Sequence, residues 1–343
     1  MDFSYKKFLI GLLFSGFFFL SIYWISSDFS GILKVSKNAN YFLVIFGLVS
    51  YSFSLVLRSY RWNYLLRKNS SNVSTKKLTP IVIVGYMFNN LLPIRTGEIA
   101  RCFYLEHKLG VKKIFALGTV AIERISDVIS LSLILVLTLI MIYINSESSE
   151  FINYLPGNKY SFILFILLIF IASLFLILAP FLRLKIYKIF NYFSSNSNVF
   201  IKKFFKFVEQ FFEGYFSINN STKLFKLISI SLLIWILEII MYFFIAISVN
   251  LSLDSFFLLV LTILFFGTSA NLAGIFPSTA GGWGSFDFFG ILVLISFGVD
   301  DQLSLAYVIF VHFCLWAPVT LIGMMIFLKD WIPLKKNKKA IDK

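Results

Sequence analysis

Charged residues, histidine and cysteine are all scarce in this sequence. Only 14% of its 343 residues are charged, whereas a soluble domain averages about 25%, so the composition excludes a soluble globular domain. The two histidines and two cysteines are well separated and cannot form a metal cluster or a disulfide framework. No Gly-x-x-x-x-Gly-Lys-Ser/Thr loop and no Gly-x-Ser-x-Gly elbow occurs, which argues against an ATP-driven pump and a serine hydrolase. We therefore expect no metal and no cofactor.

Hydrophobic residues are abundant instead. They make up 59% of the chain, which includes 43 phenylalanines, and the mean hydropathy is +0.86. This composition is that of an integral membrane protein. The formal net charge of +14 could attract nucleic acid, but the basic residues lie in loops between apolar runs, as in cytoplasmic loops that follow the positive-inside rule. We expect no nucleic-acid partner.

Six apolar runs are long enough to cross a bilayer, because a spanning helix needs about 17–25 residues. They cover residues 8–26, 41–57, 111–144, 161–182, 225–249 and 304–328. The first run is longer than the core of a signal peptide, and no cleavage site follows it. We therefore expect it to be a retained spanning helix.

Two further apolar stretches are interrupted by proline. Residues 79–106 are broken at Pro93, and residues 255–299 are broken at Pro277. A helix broken within the membrane is tolerated only where its freed backbone groups line a cavity or are buried in protein. The second arm of the first stretch also carries several charges, which are costly in lipid. Both stretches therefore predict re-entrant hairpins rather than pairs of spanning helices.

The charges of the loops orient the chain. The loops at 58–78 and 183–224 are rich in lysine and arginine, while the loop at 145–160 carries more acid than base. With the basic loops inside, both termini are cytoplasmic, the first hairpin opens from the cytoplasm and the second from outside. Phenylalanine alternates with lysine within 183–224, which predicts a cytoplasmic amphipathic connector.

This arrangement contains an inverted repeat. Residues 41–144 form one unit with the first hairpin, and residues 225–328 form a second unit with the other. In each break an asparagine precedes the proline and a glycine follows it, and a Gly-Val pair ends each hairpin: Asn90, Gly97 and Gly110-Val111 in one, Asn271, Gly281 and Gly298-Val299 in the other. Inverted repeats with broken helices are a common transporter plan. Two unrelated proline breaks are the alternative.

The helix that restarts after Pro93 presents unpaired N–H groups and its positive dipole end to the membrane interior, which suits an anion such as phosphate. Thr96 stands where it could cap that helix. We expect an anionic group such as phosphate to be bound by Asn90, Arg95, Thr96, Gly97, Arg101, Arg124, Ser278, Gly281 and Gly282. For the glycines of the second break, tight helix packing is an equal alternative.

Acidic residues within the apolar runs could balance these charges or carry a proton. They are Glu98, Glu123, Asp127, Glu238 and Asp287. The spacing of three between Arg124 and Asp127 lets them pair. An internal ion-pair network that ties this helix to the first hairpin is the alternative, and both could hold. His312 is expected to be a hydrogen-bonded core residue, and residues 57–62 an interfacial anchor.

These motifs together resemble the lysylphosphatidylglycerol synthase transmembrane-region family. The matching pieces are Arg61-Trp62, Asn90-Leu91-Leu92-Pro93-x-Arg95-x-Gly97-Glu98-x-x-Arg101, Glu123-Arg124-x-x-Asp127 and Pro277-x-x-x-Gly281-Gly282-x-Gly284-x-x-Asp287. The resemblance covers most of the chain. It implies a function in moving lipids between leaflets, notably aminoacylated phosphatidylglycerol, and relatives are implicated with other lipids or lipid-linked sugars.

On this resemblance we expect an all-α polytopic protein of the inner, or cytoplasmic, membrane that acts as a flippase or scramblase. Its substrate would be an anionic phospholipid or a polyprenyl-phosphate-linked lipid. No stretch resembles the aminoacyl-transfer domain of the bifunctional members, so we do not expect an enzyme. The alternatives are an enzyme that modifies a lipid head group at Glu98, Glu123 and Asp127, and a non-transporting partner of a membrane-bound glycosyltransferase or lipid synthase.

Overall fold

The computed structural model describes residues 30–67, 73–92, 96–144, 199–218, 220–274 and 280–341, together with four single positions. Within these ranges the chain is helical, with no strand. The helices are α1 (Ser30–Asn38), α2 (Tyr41–Leu66), α3 (Thr75–Leu91), α4 (Gly97–Leu109), α5 (Lys113–Ile144), α6 (Val199–Tyr215), α7 (Ser221–Ser248), α8 (Phe256–Ala273), α9 (Ser285–Ser296) and α10 (Asp301–Ile341). A short 3-10 turn, Ala280–Gly282, precedes α9.

Several predictions from the sequence concern residues outside these described ranges. The expected spans at 8–26 and 161–182 lie outside the described residues apart from single positions. The same holds for the prolines of both breaks and for the predicted site residues Arg95 and Ser278.

The chain is an all-α polytopic membrane protein. Five of the described helices are long and apolar enough to cross a membrane, namely α2, α5, α7, α8 and α10. Four of them match predicted spans. The fifth, α8, is the first arm of the second predicted hairpin, and its 18 residues rise about 27 Å, close to the thickness of the hydrocarbon core. The re-entrant course of that stretch therefore stays a prediction.

The order of the elements repeats. A long helix, two shorter helices separated by a break, and a second long helix occur first as α2 to α5 and again as α7 to α10. The packing is reciprocal: α3 lies against α10, α8 lies against α5, and α2 packs along α7. A two-fold relation between two copies would produce this pattern. The opposite orientation of the copies stays a prediction.

Both hairpins end in the same way. Gly110 after α4 and Gly298 after α9 adopt the left-handed conformation, with φ of 68° and 83°, which glycine reaches without a steric penalty. In the first copy, Glu106 also accepts hydrogen bonds from the backbone N and the Nζ of Lys113, at 3.2 and 2.8 Å. These contacts with Lys113 lower the pKa of Glu106. The matching Gly-Val pairs therefore mark equivalent turns.

Glycines allow two helix pairs to touch backbone to backbone. A Cβ on Gly97 would lie 2.1 Å from the carbonyl oxygen of Gly85 in α3. A Cβ on Gly118 would lie 1.9 Å from the carbonyl oxygen of Phe211, and Gly214 is equally close to α5. Small residues at helix interfaces are typical of membrane proteins. Gly97, which we expected to bind substrate, therefore lies in the crossing of α3 and α4.

The described part of the 183–224 connector is mainly α6, which packs along α5. Its C-terminal end joins a buried cluster that includes Tyr215, Phe216, Leu65, Ile122 and Leu227. This packing ties α6 to the helix bundle. Its position on the cytoplasmic side stays a prediction.

Candidate functional site

A polar cavity of about 160 Å³ lies where the two hairpins meet. The first hairpin contributes the end of α3 and the start of α4, and the second contributes the end of α8 and the glycine turn before α9. The remaining walls come from α2, α5, α7 and α10. The charged and amide groups of the lining, with its histidine, are Arg58, Asn89, Asn90, Glu98, Arg124, Glu238, Asn271 and His312. The described residues on both sides of each break thus face one polar space.

Arg58 of α2 and Glu238 of α7 form a buried ion pair in this wall. Their Nη2 and Oε2 atoms lie 2.5 Å apart, and Glu238 Oε1 accepts a hydrogen bond of 2.8 Å from the Tyr242 hydroxyl. The guanidinium lies over the rings of Trp235 and Tyr86, at 4.9 and 5.5 Å. Aromatic faces attract a cation electrostatically, so Arg58 is held in the wall of the cavity with one charged partner.

Arg124 of α5 bridges two acids. Its Nη2 lies 3.0 Å from Asp127 Oδ2, as the spacing of three predicts, and its Nε lies 3.4 Å from Glu98 Oε1. The side chains of Arg124 and Glu98 keep 29% and 20% of their surface exposed, far more than the other arginines and acids of this cluster. These two groups are therefore the most accessible charges of the cluster.

A second layer of charges lies behind this wall. Arg61 contacts Asp127 through Nη1 and Nη2, at 2.5 and 3.2 Å, and Glu123 at 3.4 Å. Arg101 binds Glu123 at 2.5 Å and stacks on the Trp62 ring. Arg101, Glu123 and Asp127, which we expected to meet the substrate or a proton, are not among the residues that line the cavity.

The interpretation of residues 57–62 as an interfacial anchor was wrong for Arg58, Arg61 and Trp62. All three are buried, and α2 continues to Leu66. The predicted span ended at Leu57 because the next residue is an arginine, which is unfavourable in lipid. In the folded protein, acids on α5 and α7 neutralise these arginines, so the helix stays in the interior beyond that point.

His312 of α10 is held between two acceptors. Its Nδ1 lies 2.7 Å from Asp287 Oδ1, and its Nε2 lies 3.0 Å from the carbonyl oxygen of Gly281. Because a carbonyl oxygen only accepts, Nε2 donates its proton to Gly281. The Trp283 ring stacks on the histidine at 3.9 Å. His312 is hydrogen-bonded, as expected, but it also lines the cavity.

Asp287 fixes the start of α9. Its Oδ2 accepts a hydrogen bond of 2.9 Å from the backbone N of Gly284, and its side chain is buried. Gly281 and Gly282 adopt φ of 77° and 83°, where any other L-residue is strained. A Cβ on Gly282 would meet no atom of the described residues within 4 Å, whereas one on Gly281 would lie 2.9 Å from the Trp316 ring. Gly282 therefore leaves its backbone open to a ligand.

The two asparagines of the breaks tie the tips to neighbouring helices. Asn90 Nδ2 donates to the carbonyl oxygen of Trp316 and to Thr320 Oγ1, at 3.2 and 2.9 Å, while Trp316 Nε1 donates to the carbonyl oxygen of Asn90. Asn271 Nδ2 donates to the Tyr242 hydroxyl at 3.0 Å. The first hairpin is thus attached to a helix of the other repeat.

Some buried polar atoms at the cavity have no hydrogen-bond partner in the part of the chain that the structure describes. They are Arg58 Nε, Asn89 Oδ1, Glu98 Oε1 and Arg124 Nε. Thr96 Oγ1 also has no partner within the described residues, but Thr96 is not among the residues that line the cavity. Thr96 precedes α4, but its hydroxyl makes no capping bond. Buried polar groups are normally paired, so these atoms mark positions at which a ligand or water can bind.

The structure thus divides the predicted residues into two sets. Those that line the cavity are Asn90, Glu98, Arg124, Glu238, Gly281 and Gly282. Those placed in packing or buried pairs around it are Gly97, Arg101, Glu123, Asp127 and Asp287. Residues of the lining that sequence reasoning did not assign to the site are Arg58, Asn89, Asn271, His312 and Trp316.

Comparisons with known proteins agree with the sequence resemblance. The family model for the lysylphosphatidylglycerol synthase TM region matches residues 8–323. Two relatives come from Methanocaldococcus jannaschii: UPF0104 membrane protein MJ1595, 24% identical over 90% of this chain and 91% of its own length, and MJ1078, 25% identical over 70% and 92%. UPF0104 membrane protein PH1989 of Pyrococcus horikoshii is 24% identical over 95% and 97%. No solved structure matches.

Proposed function

The chain belongs to the lysylphosphatidylglycerol synthase transmembrane-region family, and we propose that it moves a lipid with a phosphate-containing head group between the leaflets of the cytoplasmic membrane. The proposal covers flippase and scramblase activity, for an anionic phospholipid or a polyprenyl-phosphate-linked lipid. Under it, both termini lie in the cytoplasm, as the loop charges predict. The protein would not alter the lipid chemically.

The observation that carries the proposal is the polar cavity between the tips of the two hairpins. Charged and amide groups within a membrane protein are costly and typically mark a substrate path. Each half of the repeat contributes one tip, as in transporters whose broken helices meet at a central site. A lipid head group is a ligand that must cross the bilayer and needs such a polar surface to do so.

Among the described residues, Arg58 and Arg124 are the arginines that line this cavity. Arginine binds phosphate through charge-assisted hydrogen bonds, and Arg58 Nε is buried without a partner. The N-terminal end of α4 and the open backbone at Gly282 add N–H groups and a favourable dipole. Arg101 supports the wall from behind in this scheme, instead of contacting the phosphate.

Within the described residues, the acidic and arginine side chains of the lining balance one another before a lipid arrives. Arg58 and Arg124 are matched by Glu98 and Glu238. A phosphate would add a negative charge to a space of low dielectric, which is unfavourable unless it is compensated. We infer that a proton on Glu98 compensates it, because Glu98 is the more accessible of the two acids to a proton from solvent.

The role of Glu98 can be tested with Glu98→Gln, which mimics the protonated acid. We expect the parent protein to move lipid faster as the pH falls and the variant to lose this dependence while it remains active. A variant that keeps the pH profile of the parent would exclude Glu98 as the compensating group.

The main experiment measures lipid movement in vesicles of phosphatidylcholine and phosphatidylglycerol that contain a trace of dye-labelled phosphatidylglycerol. Dithionite quenches only the dye-labelled lipid in the outer leaflet. A protein that moves lipid carries labelled lipid from the inner leaflet to the outer one, so this fraction should also be quenched. Removing both members of the buried pair, with Arg58→Gln and Glu238→Gln together, avoids an unpaired charge. We expect lipid movement to fall by about tenfold or more, as for the loss of a hydrogen bond to a charged group.

Arg67→Gln is the matched control, because Arg67 is exposed at the end of the same helix. We expect this variant to move lipid like the parent protein. Equal rates in the double variant and the control would refute the proposed site, and the absence of movement with the parent protein would refute the proposed activity. A change in the mass of the recovered lipid would show an enzyme instead.

A further inference from the structure

A second cavity, of about 540 Å³, lies beside the polar one between α4, α5 and α6. Its lining is apolar except for Glu98 and includes Leu117 and Ala121 of α5 and Phe207 and Phe211 of α6. Its volume is within the range of about 300–1,000 Å³ that ligand pockets occupy. We call it the apolar groove.

The apolar groove depends on the close crossing of two helices. Gly118 and Gly214 bring the backbones of α5 and α6 into contact, which fixes α6 against the bundle. Phe207 and Phe211, which precede Gly214 in α6, form one wall of the groove. Leu117 and Ala121 of α5 form the facing wall. The groove is thus a built feature of the packing between these helices.

Glu98 lines both cavities. On one side its carboxylate lies 3.4 Å from Arg124 Nε at the polar cavity. On the other side it is the charged member of an otherwise apolar lining. The polar and apolar spaces therefore meet at this residue, and a ligand that fills both must have a charged end and a hydrocarbon end.

We propose that the apolar groove holds a hydrocarbon chain of the same lipid whose head group occupies the polar cavity. This inference rests on the proposed function and adds a second contact region for the substrate. The occupant follows from the continuity of the two spaces at Glu98 and from their opposite polarity. The groove is also open at the protein surface, because its lining residues Ile99 and Phe207 are 40% and 49% exposed.

The groove would position the chain more than attract it. Hydrocarbon gains little by leaving lipid for an apolar protein surface, because both surroundings are apolar. The groove instead fixes the position of the lipid, because a hydrocarbon chain that lies between α5 and α6 places its head group at Glu98 and Arg124. A bulky side chain in the groove should therefore disturb substrate placement without removing a polar contact.

The test is photo-crosslinking with phosphatidylglycerol that carries a diazirine near the end of one acyl chain, in phosphatidylcholine vesicles that contain the protein. Mass spectrometry of the digested protein locates the adducts. We expect adducts on the segments around Leu117 and Phe207 to 211, and their loss in Ala121→Trp. Leu117→Trp is a second filling variant, should the first fail to fold.

Leu137→Trp is the matched control, since Leu137 lies on the same helix and is 57% exposed. It should leave the groove adducts unchanged. Adducts that persist in a folded filling variant, or that spread evenly over α5, would overturn the inference even if the parent protein moves lipid. Adducts in the groove of a protein that moves no lipid would instead overturn the proposed function and leave the chain-binding site standing.

Discussion

At the scale of single residues, charge pairing explains why so many ionised groups are tolerated inside an apolar bundle. The cluster contains four arginines and four acids: Arg58, Arg61, Arg101, Arg124, Glu98, Glu123, Asp127 and Glu238. An uncompensated buried charge costs several kcal/mol. The equal numbers keep the cluster neutral. Removal of one member should therefore destabilise the protein more than removal of an arginine together with its acidic partner.

Glu123→Gln tests this expectation. The variant leaves Arg61 and Arg101 without the carboxylate that both contact, so we expect a destabilisation of about 3–5 kcal/mol. The measurement is the Tm of the purified protein in detergent, followed by loss of the monodisperse fraction.

Glu106→Gln provides the control for that measurement. It removes the same kind of carboxylate from an exposed pair with Lys113, which should change stability by less than about 1 kcal/mol. Equal Tm values for the two variants would contradict the central place of Glu123 in the network.

The proton on His312 Nε2 is a second prediction for single residues. The carbonyl oxygen of Gly281 can only accept a hydrogen bond, so Nε2 must donate to it. Nitrogen NMR of the protein labelled in histidine, with His107→Gln to remove the other histidine, should show a protonated Nε2. An Nε2 without a proton would contradict this hydrogen bond.

At the scale of elements, the first hairpin depends on contact between the backbones of its two arms. Gly97→Ala would place a methyl group 2.1 Å from the carbonyl oxygen of Gly85, which α3 and α4 cannot absorb without moving apart. We expect a severe loss of folded protein, measured as the monodisperse yield after extraction.

Gly282→Ala is the matched control in the second hairpin. Its added methyl group meets no atom of the described residues within 4 Å, so it introduces only the left-handed strain of about 1–2 kcal/mol. If Gly97→Ala gave the same yield as this control, the close crossing would not be essential to the hairpin.

Sequence reasoning succeeded for elements whose signal is local. Long apolar runs predicted four of the five candidate spans in the described part of the chain. The Gly-Val pairs marked two equivalent turns, because a left-handed residue after a helix favours glycine. The spacing of three predicted the contact of Arg124 with Asp127.

The pairing of the charges between helices could not be predicted in this way. Arg58 and Glu238 are 180 positions apart in the chain, and Arg61 and Glu123 are 62 apart. No local pattern indicates which helices pack together. The sequence therefore indicated that charges lie near the breaks, while only the fold shows that Arg58 lines the cavity and Arg101 does not.

At the scale of the whole molecule, the two halves of the chain build one cavity. The first hairpin packs on α10 of the second half, and α8 of the second hairpin packs on α5 of the first. Neither half encloses the polar space alone. Movement of one half against the other would change access to the cavity, which is how repeat-built transporters commonly expose a central site to each side in turn.

The central claim is that this cavity binds a phospholipid head group. Native mass spectrometry of the purified protein, prepared with phosphatidylglycerol in the detergent micelle, tests it most directly. We predict a bound phospholipid on the parent protein and on Arg67→Gln, and its loss from the double variant of Arg58→Gln and Glu238→Gln. Equal lipid occupancy on all three proteins, or none on the parent, would contradict the account.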